Sequence, residues 1–233
     1  RVDPGGGGVN VARTICSLGG RAKALIAVGG AGGQKLCAML EAEGVPVHAV
    51  DVGGETRFSF AVTDESSNCQ YRFSLPGDTL NSETGEYLIK EIVAQTPRGG
   101  WAVLSGGVAP GLDDRFPEKI RAALEGITNR LVVDTSKCAL HRLISEPVAP
   151  LYALRFDHRE AERAAGRPLS DLHESIAFLE TLILRGVAEI LVMGRGAEGS
   201  LIVTPFARHF CSTPKVPVVS KIGAGDAFVG SFT

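Results

Sequence analysis

The chain has 233 residues, 44% hydrophobic and 21% charged, with a formal net charge of −2. No lysine- and arginine-rich run is present, which argues against a nucleic-acid partner, and no apolar run is long enough to cross a bilayer. With no signal peptide at the start, these features predict a cytoplasmic protein with neither a membrane nor a nucleic-acid partner.

The first informative stretch is "DPGGGGVNVARTICSLGG", residues 3–20. Four consecutive glycines are entropically costly to order and make sense where backbone must approach a ligand. A helix follows directly, with Val11, Ile15 and Leu18 on one face, and Asn10 can both donate to and accept from a sugar hydroxyl. The bland alternative is a flexible loop with an N-cap asparagine, which fits poorly with a helix packed right behind the run. Short continuous apolar segments then alternate with helical periodicity. "KALIAV" (23–28), "WAVLS" (101–105), "RLVVD" (130–134), "LYAL" (151–154) and "EILVM" (189–193) read as buried parallel strands. Helices are predicted at "GGQKLCAMLEAEG" (32–44), "SETGEYLIKEIVAQ" (82–95) and "SDLHESIAFLETLILRG" (170–186). In the last, Ser170 is expected to cap the start and Gly186 to end it. The alternation predicts a doubly wound α/β domain.

Residues 45–75 break the pattern. "VPVHAVDV", "TRFSFAVTD" and "CQYRFSL", with "ESSN" as a turn, read as antiparallel strands with one face open to solvent or a partner, projecting as a β-flap. The chain closes on "SKIGAGDAFVGSFT". Small residues at Gly223, Ala224 and Gly225 allow backbone N–H groups to converge at a helix start, which makes an anion pocket. A carboxylate there, Asp226, suits a base that deprotonates a hydroxyl while a phosphoryl group arrives. An ordinary aspartate at a helix start would instead stabilise the dipole by at most about 1 kcal/mol.

Other chemistries find less support. "VGGAGGQK" fails the dinucleotide fingerprint because Lys35 falls where the last glycine belongs. There is no Walker-A "GK[ST]", and the five histidines have no metal-site spacing. The five cysteines (16, 37, 69, 138 and 211) form no C-x-x-C pair and read as reduced thiols. Arg1 reads as lying inside a continuing segment and Thr233 inside a helix, so the sequence is expected to be part of a longer protein.

At the two glycine motifs the chain resembles the ribokinase-like carbohydrate kinases of the PfkB family, and within it the 6-phosphofructokinase type. "GGGGVNVAR", "TRF", "QYRFSLPG", "LSGGVAPG", "VVDTS" and "IGAGDAFVG" occur in the family's order across nearly all of residues 1–233. Gly7 stands where 1-phosphofructokinases, tagatose-6-phosphate kinases and ribokinases usually carry lysine. The resemblance implies a three-layer α/β/α fold with a mostly parallel sheet and a β-sheet lid, within a single domain over 1–233, and a homodimer formed through that lid. It implies ATP and Mg2+ as cofactors and phosphorylation of the 1-hydroxyl of fructose 6-phosphate. By the same resemblance Asp226 is the catalytic base and Gly223, Ala224 and Gly225 the anion hole. Gly5, Gly6 and Asn10 contact the sugar. Arg57 holds its 6-phosphate, with Arg72 a weaker candidate. Gly194, Gly196 and Gly199, in "MGRGAEG", line the ATP site, and Asp157 and Glu160 serve the metal. The glycines at 194–199 also read as an ordinary hairpin turn, and both arginines as solvated charges on an exposed strand.

The pattern is not perfect. The family's "KPNxxE" reads "RFDHRE" here, so Arg155 replaces lysine and Asp157 replaces asparagine, with Glu160 retained. Gly107 and Gly194 replace hydroxyl residues, and Ser220 and Lys221 replace an Asp-Thr pair tied to a monovalent cation. These departures motivate a second reading, a catalytically idle sugar-phosphate-binding protein on the same fold. Against it stands Asp226, because binding alone needs no carboxylate beside a phosphate.

Overall fold

The computed structural model describes residues 2–67, 69–217, 220 and 222–233, with the side chain of Arg72 outside what is described. Its parallel strands are the continuous apolar segments. β1 (Ala24–Val28) and β2 (Val47–Asp51) pair in parallel, and α2 (Gly30–Ala42) makes the crossover that parallel pairing requires. A larger sheet contains β5 (Ala102–Ser105), β6 (Leu131–Asp134), β7 (Leu151–Asp157) and β8 (Ala188–Gly194), all parallel. It continues antiparallel through β9 (Gly199–Val203) and β10 (Arg208–Ser212), in the spatial order β10-β9-β8-β7-β6-β5.

Alternate residues of these strands enter two helical layers. On one side α1 (Gly7–Ser17) and α2 pack Val9, Ala12 and Leu40 against Ala24, Ile26 and Val28. On that side also, Val11 of α1 and Val229 of α8 (Ala224–Phe232) enclose Val132 and Ala153. The opposite face carries α3 (Ser82–Gln95), α4 (Phe116–Ala123), α5 (Lys137–Ser145), α6 (His158–Ala165) and α7 (Leu172–Leu184). They bring Leu88, Ile120, Leu140, Ala161 and Leu179 onto Val133, Leu154, Phe156 and Leu191. Each fully buried side chain of this size contributes roughly 1.5–3 kcal/mol. The result is the three-layer α/β/α arrangement with a mostly parallel sheet that the sequence predicted.

β3 (Ser59–Asp64) and β4 (Cys69–Ser74) form a separate antiparallel hairpin. Their register places Phe60 opposite Phe73 and Val62 opposite Tyr71, so alternation gives one face of aromatic and branched residues, all about half exposed. At the hairpin tip Asp64 accepts from the hydroxyls of Ser67 and Ser66 and from the Ser66 amide, which together hold its carboxyl down to about 2. The base of the hairpin is tied to the body at Gly29. The Thr56 amide donates to the Gly29 carbonyl at 3.0 Å, and the Gly29 amide donates to Thr56 Oγ1 at 3.0 Å. The glycines of "VGGAGG" therefore serve close packing here: a Cβ at Gly33 would lie 2.8 Å from Val28 Cβ.

Three expectations need correction. "VPVHAVDV" is not a lid strand: it is β2, paired in parallel with β1, with Val50 buried in the main core and Ala49 and Asp51 exposed on its other face. The cap of α7 is Asp171, which accepts from the Glu174 amide at 2.8 Å, while the Ser170 amide donates to the Glu174 carboxylate at 2.7 Å. The segment begun at "LYAL" runs on to Asp157; the hairpin turn read at 194–199 does join β8 to the antiparallel β9, and β10, which was not predicted, extends the sheet beyond it. Among the described residues no helix is long and apolar enough to cross a membrane.

Candidate active site

Parallel α/β sheets offer their ligand crevice beyond the carboxyl ends of the strands. Ser105, Asp134 and Asp157 are the last residues of β5, β6 and β7, and the starts of α1 and α8 meet them there. Gly223 adopts the left-handed region (φ 79°) as N-cap of α8, a conformation that favours glycine. Ala224 and Gly225 follow as the first helical residues. Their amides have no intrahelical partner, and no hydrogen bond among the described residues takes them up.

Asp226 lies on the same turn. Its Oδ2 accepts from Asn10 Nδ2 at 2.8 Å and its Oδ1 accepts from Ser105 Oγ at 3.3 Å. The two glycine motifs, at opposite ends of the chain, thus share one site. Two further glycines set its dimensions. A Cβ on Gly7 would lie 2.5 Å from Ser105 Oγ and 2.7 Å from the Gly106 nitrogen, so α1 starts flush against the end of β5. A Cβ on Gly230 would lie 2.9 Å from the Val11 carbonyl oxygen and 2.8 Å from Thr14 Cβ, so α8 crosses α1 almost backbone to backbone. Gly6 caps α1 with φ 119°, and Gly5 stands in open space in front of it.

Beside the Gly223–Gly225 turn lies a charged layer. Arg155 Nη1 donates to Asp134 Oδ1 at 3.3 Å, with both side chains largely buried. Cβ atoms built on Gly225 and Gly194 would lie 2.9 Å and 3.3 Å from this guanidinium, which therefore sits between the two glycine turns. Among the described residues Arg155 Nε and Thr135 Oγ1 are buried without partners. Burial pushes the Asp134 carboxyl above its ordinary range; the guanidinium opposes this, and the Asp226 and Asp157 charges add to it.

Asp157 and Glu160 come together as a reciprocal capping box. Asp157 Oδ1 accepts from the Glu160 amide at 2.8 Å, and Glu160 Oε2 accepts from the Asp157 amide at 2.9 Å. Burial raises the Glu160 carboxyl, and the Asp157 amide works against that rise. One oxygen of each carboxylate remains outside the box. Gly194, Gly196 and Gly199 build the β8–β9 turn, closed by the Arg195 amide on the Gly199 carbonyl at 2.8 Å. Arg195 is buried beside this turn and reaches Ser175 Oγ at 2.5 Å and Glu198 Oε2 at 2.8 Å. Arg57 is exposed at the lid base, its stem 3.7 Å from a Cβ built on Gly77. Among the described residues no hydrogen bond or ion pair joins Arg57 to the Asp226 cluster. Arg72 pairs with Ala61 in the lid ladder, and its side chain and Lys221 lie outside what is described.

Sequence reasoning assigned no role to Ser105 or Asp134 and treated Arg155 only as a departure. The first two close predicted strands, "WAVLS" and "RLVVD", and a polar residue at the carboxyl end of a buried parallel strand is the signal that could have singled them out.

A mostly parallel sheet with a separate β-hairpin, and a carboxylate beside a helix start at the sheet's carboxyl edge, is the arrangement of the ribokinase-like phosphotransferases. The family model "pfkB family carbohydrate kinase" matches residues 1–233. An ATP-dependent 6-phosphofructokinase isozyme 2 of Mycobacterium tuberculosis is 35% identical over 233 residues, covering 100% of this chain and 68% of the relative. A 1-phosphofructokinase of Xanthomonas campestris is 30% identical over 230 residues, covering 98% and 72%. The crystal structure of Escherichia coli phosphofructokinase-2 in complex with substrates and products superposes with a TM-score of 0.89 at 33% identity, covering 98% of this chain and 73% of that one. The chain belongs to the pfkB family of carbohydrate kinases.

Arg155→Met is expected to destabilise the protein more as pH rises. Without the guanidinium the folded Asp134 carboxyl moves higher still. Its contribution is then intact below the unfolded carboxylate range and is lost as pH rises through the folded value. Thermal midpoints of parent and variant from about pH 4 to about pH 8 check this, and a gap that stays flat or narrows would rule out the coupling.

Proposed function

We propose that the chain transfers the γ-phosphoryl group of ATP to the 1-hydroxyl of fructose 6-phosphate. The observation that carries this reading is the Asp226 carboxylate, held by Asn10 and Ser105 beside the helix-start amides of Ala224 and Gly225. Asp226 accepts the hydroxyl proton, and the Gly223–Gly225 turn takes the charge of the transferring group. Gly5, Gly6 and the second amide proton and carbonyl of Asn10 receive the sugar. Arg57 clamps the 6-phosphate from the lid base, a guanidinium being suited to bidentate phosphate binding. The Gly194–Gly199 turn lies along the nucleotide. The names of the relatives support a phosphofructokinase.

Mg2+ fits the donor chemistry without needing a protein cage. Among the described residues no group of three or more acidic, histidine or cysteine side chains is placed to hold a metal, but Mg2+ keeps waters and nucleotide phosphates and takes one or two carboxylates. The oxygens of Asp157 and Glu160 left outside the capping box are the candidates. Bound there, the ion would neutralise phosphate charge.

Gly7 favours the 6-phosphofructokinase reading over 1-phosphofructokinase or tagatose-6-phosphate kinase, because the resemblance gives the first type glycine there and the others usually lysine. The idle sugar-phosphate-binding alternative leaves the aligned carboxylate without a purpose. ADP release measured across the three sugar phosphates separates these readings. Asp226→Asn is expected to lower kcat by at least about 100-fold with little change in the sugar KM, and near-normal turnover would reject the base. Arg57→Ala is expected to raise KM for the phosphorylated sugar about tenfold or more, with kcat much less affected. An unchanged KM would remove Arg57 from the site.

The apolar lid face, Phe58, Phe60, Val62, Tyr71 and Phe73, is exposed in the single chain and fits a second copy's lid. Phe60→Asp is expected to convert a dimeric protein to monomer in sedimentation. A parent that is monomeric at micromolar concentration, or a variant that stays dimeric, counts against the lid interface.

A further inference from the structure

We infer that Ser105 is a positioning residue whose hydroxyl, together with the Asn10 amide, keeps the Asp226 carboxylate out of its own helix's anion pocket. The inference deepens the kinase reading above and rests on it. Asp226 occupies the third helical position of α8. An acidic side chain there commonly folds back to accept from the N-cap amide, the reciprocal half of a capping box. The molecule contains that alternative as an internal comparison. At the same position of α6, Glu160 does fold back and accepts from the Asp157 amide at 2.9 Å. Asp226 does not, although its N-cap, Gly223, has no side chain to compete for the free amides.

What differs at α8 is a side chain one methylene shorter and a pair of donors on other elements. Asn10 Nδ2 holds Oδ2 from α1 and Ser105 Oγ holds Oδ1 from the end of β5. An aspartate carboxylate rotates within a broad, two-fold well, so one donor leaves its plane adjustable and two on different oxygens fix it. Each oxygen accepts one of these bonds and keeps a lone pair for the substrate proton. The amides of Ala224 and Gly225 meanwhile stay available to a phosphate. Gly7 is part of the same device, because a Cβ at 7 would lie 2.5 Å from the Ser105 hydroxyl and push it off its bearing.

Without the Ser105 hydroxyl the carboxylate is free to swing onto the amides of its own turn, at once misaligning the base and filling the anion hole. Ser105→Ala is therefore expected to lower kcat about tenfold or more, as for loss of a hydrogen bond to a charged group, with the sugar KM within about twofold. Ser105→Cys, similar in shape but a weaker donor, is expected to fall between parent and alanine. The deciding measurement is a double-mutant cycle with Asp226→Asn. If Ser105 acts through the carboxylate, Ser105→Ala adds little once that carboxylate is gone. Normal turnover in Ser105→Ala while Asp226→Asn is inactive overturns this inference alone. So does an equal loss from Ser105→Ala in both backgrounds, which would mark a packing role. Near-normal turnover in Asp226→Asn overturns the kinase reading first.

Discussion

On the proposed kinase reading, the site turns on placing one negative charge beside the spot where another must arrive. A carboxylate next to a phosphate is repelled, and the repulsion is worst in a cavity from which water is partly excluded. Asp226 can stay only if donors hold it and if the pocket amides are not spent on it. Both conditions are met from outside α8, by Asn10 and Ser105. That requirement explains why α1 and α8 cross so closely at Gly230 and why α1 starts against β5 at Gly7. The contact spans 216 residues of sequence, so the site exists only when the sheet between its two ends has formed.

Below that carboxylate the charges form a graded stack. Asp134 and Arg155 lie largely buried, and the guanidinium reaches the underside of Gly225. Desolvating two charges offsets much of their attraction, so the pair adds little net stability to the fold. A cation under the anion turn adds to the field of the helix start, and Asp134 holds that cation in place. The arrangement is sided: positive groups and amides gather around the turn, while acids stand behind them or, like Asp226, are tied by donors.

The fold was legible where local chemistry and environment agreed. The predicted helix at 82–95 is α3 to the residue, because Asn81 caps it and its apolar stripe is unbroken. Continuous Val, Ile and Leu runs gave the parallel strands because both faces are covered. "VPVHAVDV" misled because one half-exposed face is shared by lid strands and by this strand of the parallel layer, where Val50 is buried while Ala49 and Asp51 are exposed. β10 escaped because it is exposed throughout and carries little apolar signal. At the candidate site, glycine and aspartate motifs were readable since unusual backbone demands unusual residues. Ser105, Asp134 and Arg155 were not, because a polar residue at a strand end announces neither its partner nor its direction, and the partners come from elements far along the chain.

The departures from the family pattern also look different once they are in space. Arg155 for lysine and Gly194 for a hydroxyl residue counted, in sequence, as two separate losses. In the fold they are neighbours: a Cβ at 194 would lie 3.3 Å from Arg155 Nη2, tighter than ordinary van der Waals contact. A guanidinium is broader than an ammonium and needs that room, so the glycine accommodates the arginine. Gly225 meets the same guanidinium from the other side. Being neighbours, the two departures describe one local arrangement, a cation between the two glycine turns held by Asp134, and not two independent losses that would argue for a kinase fold without its reaction.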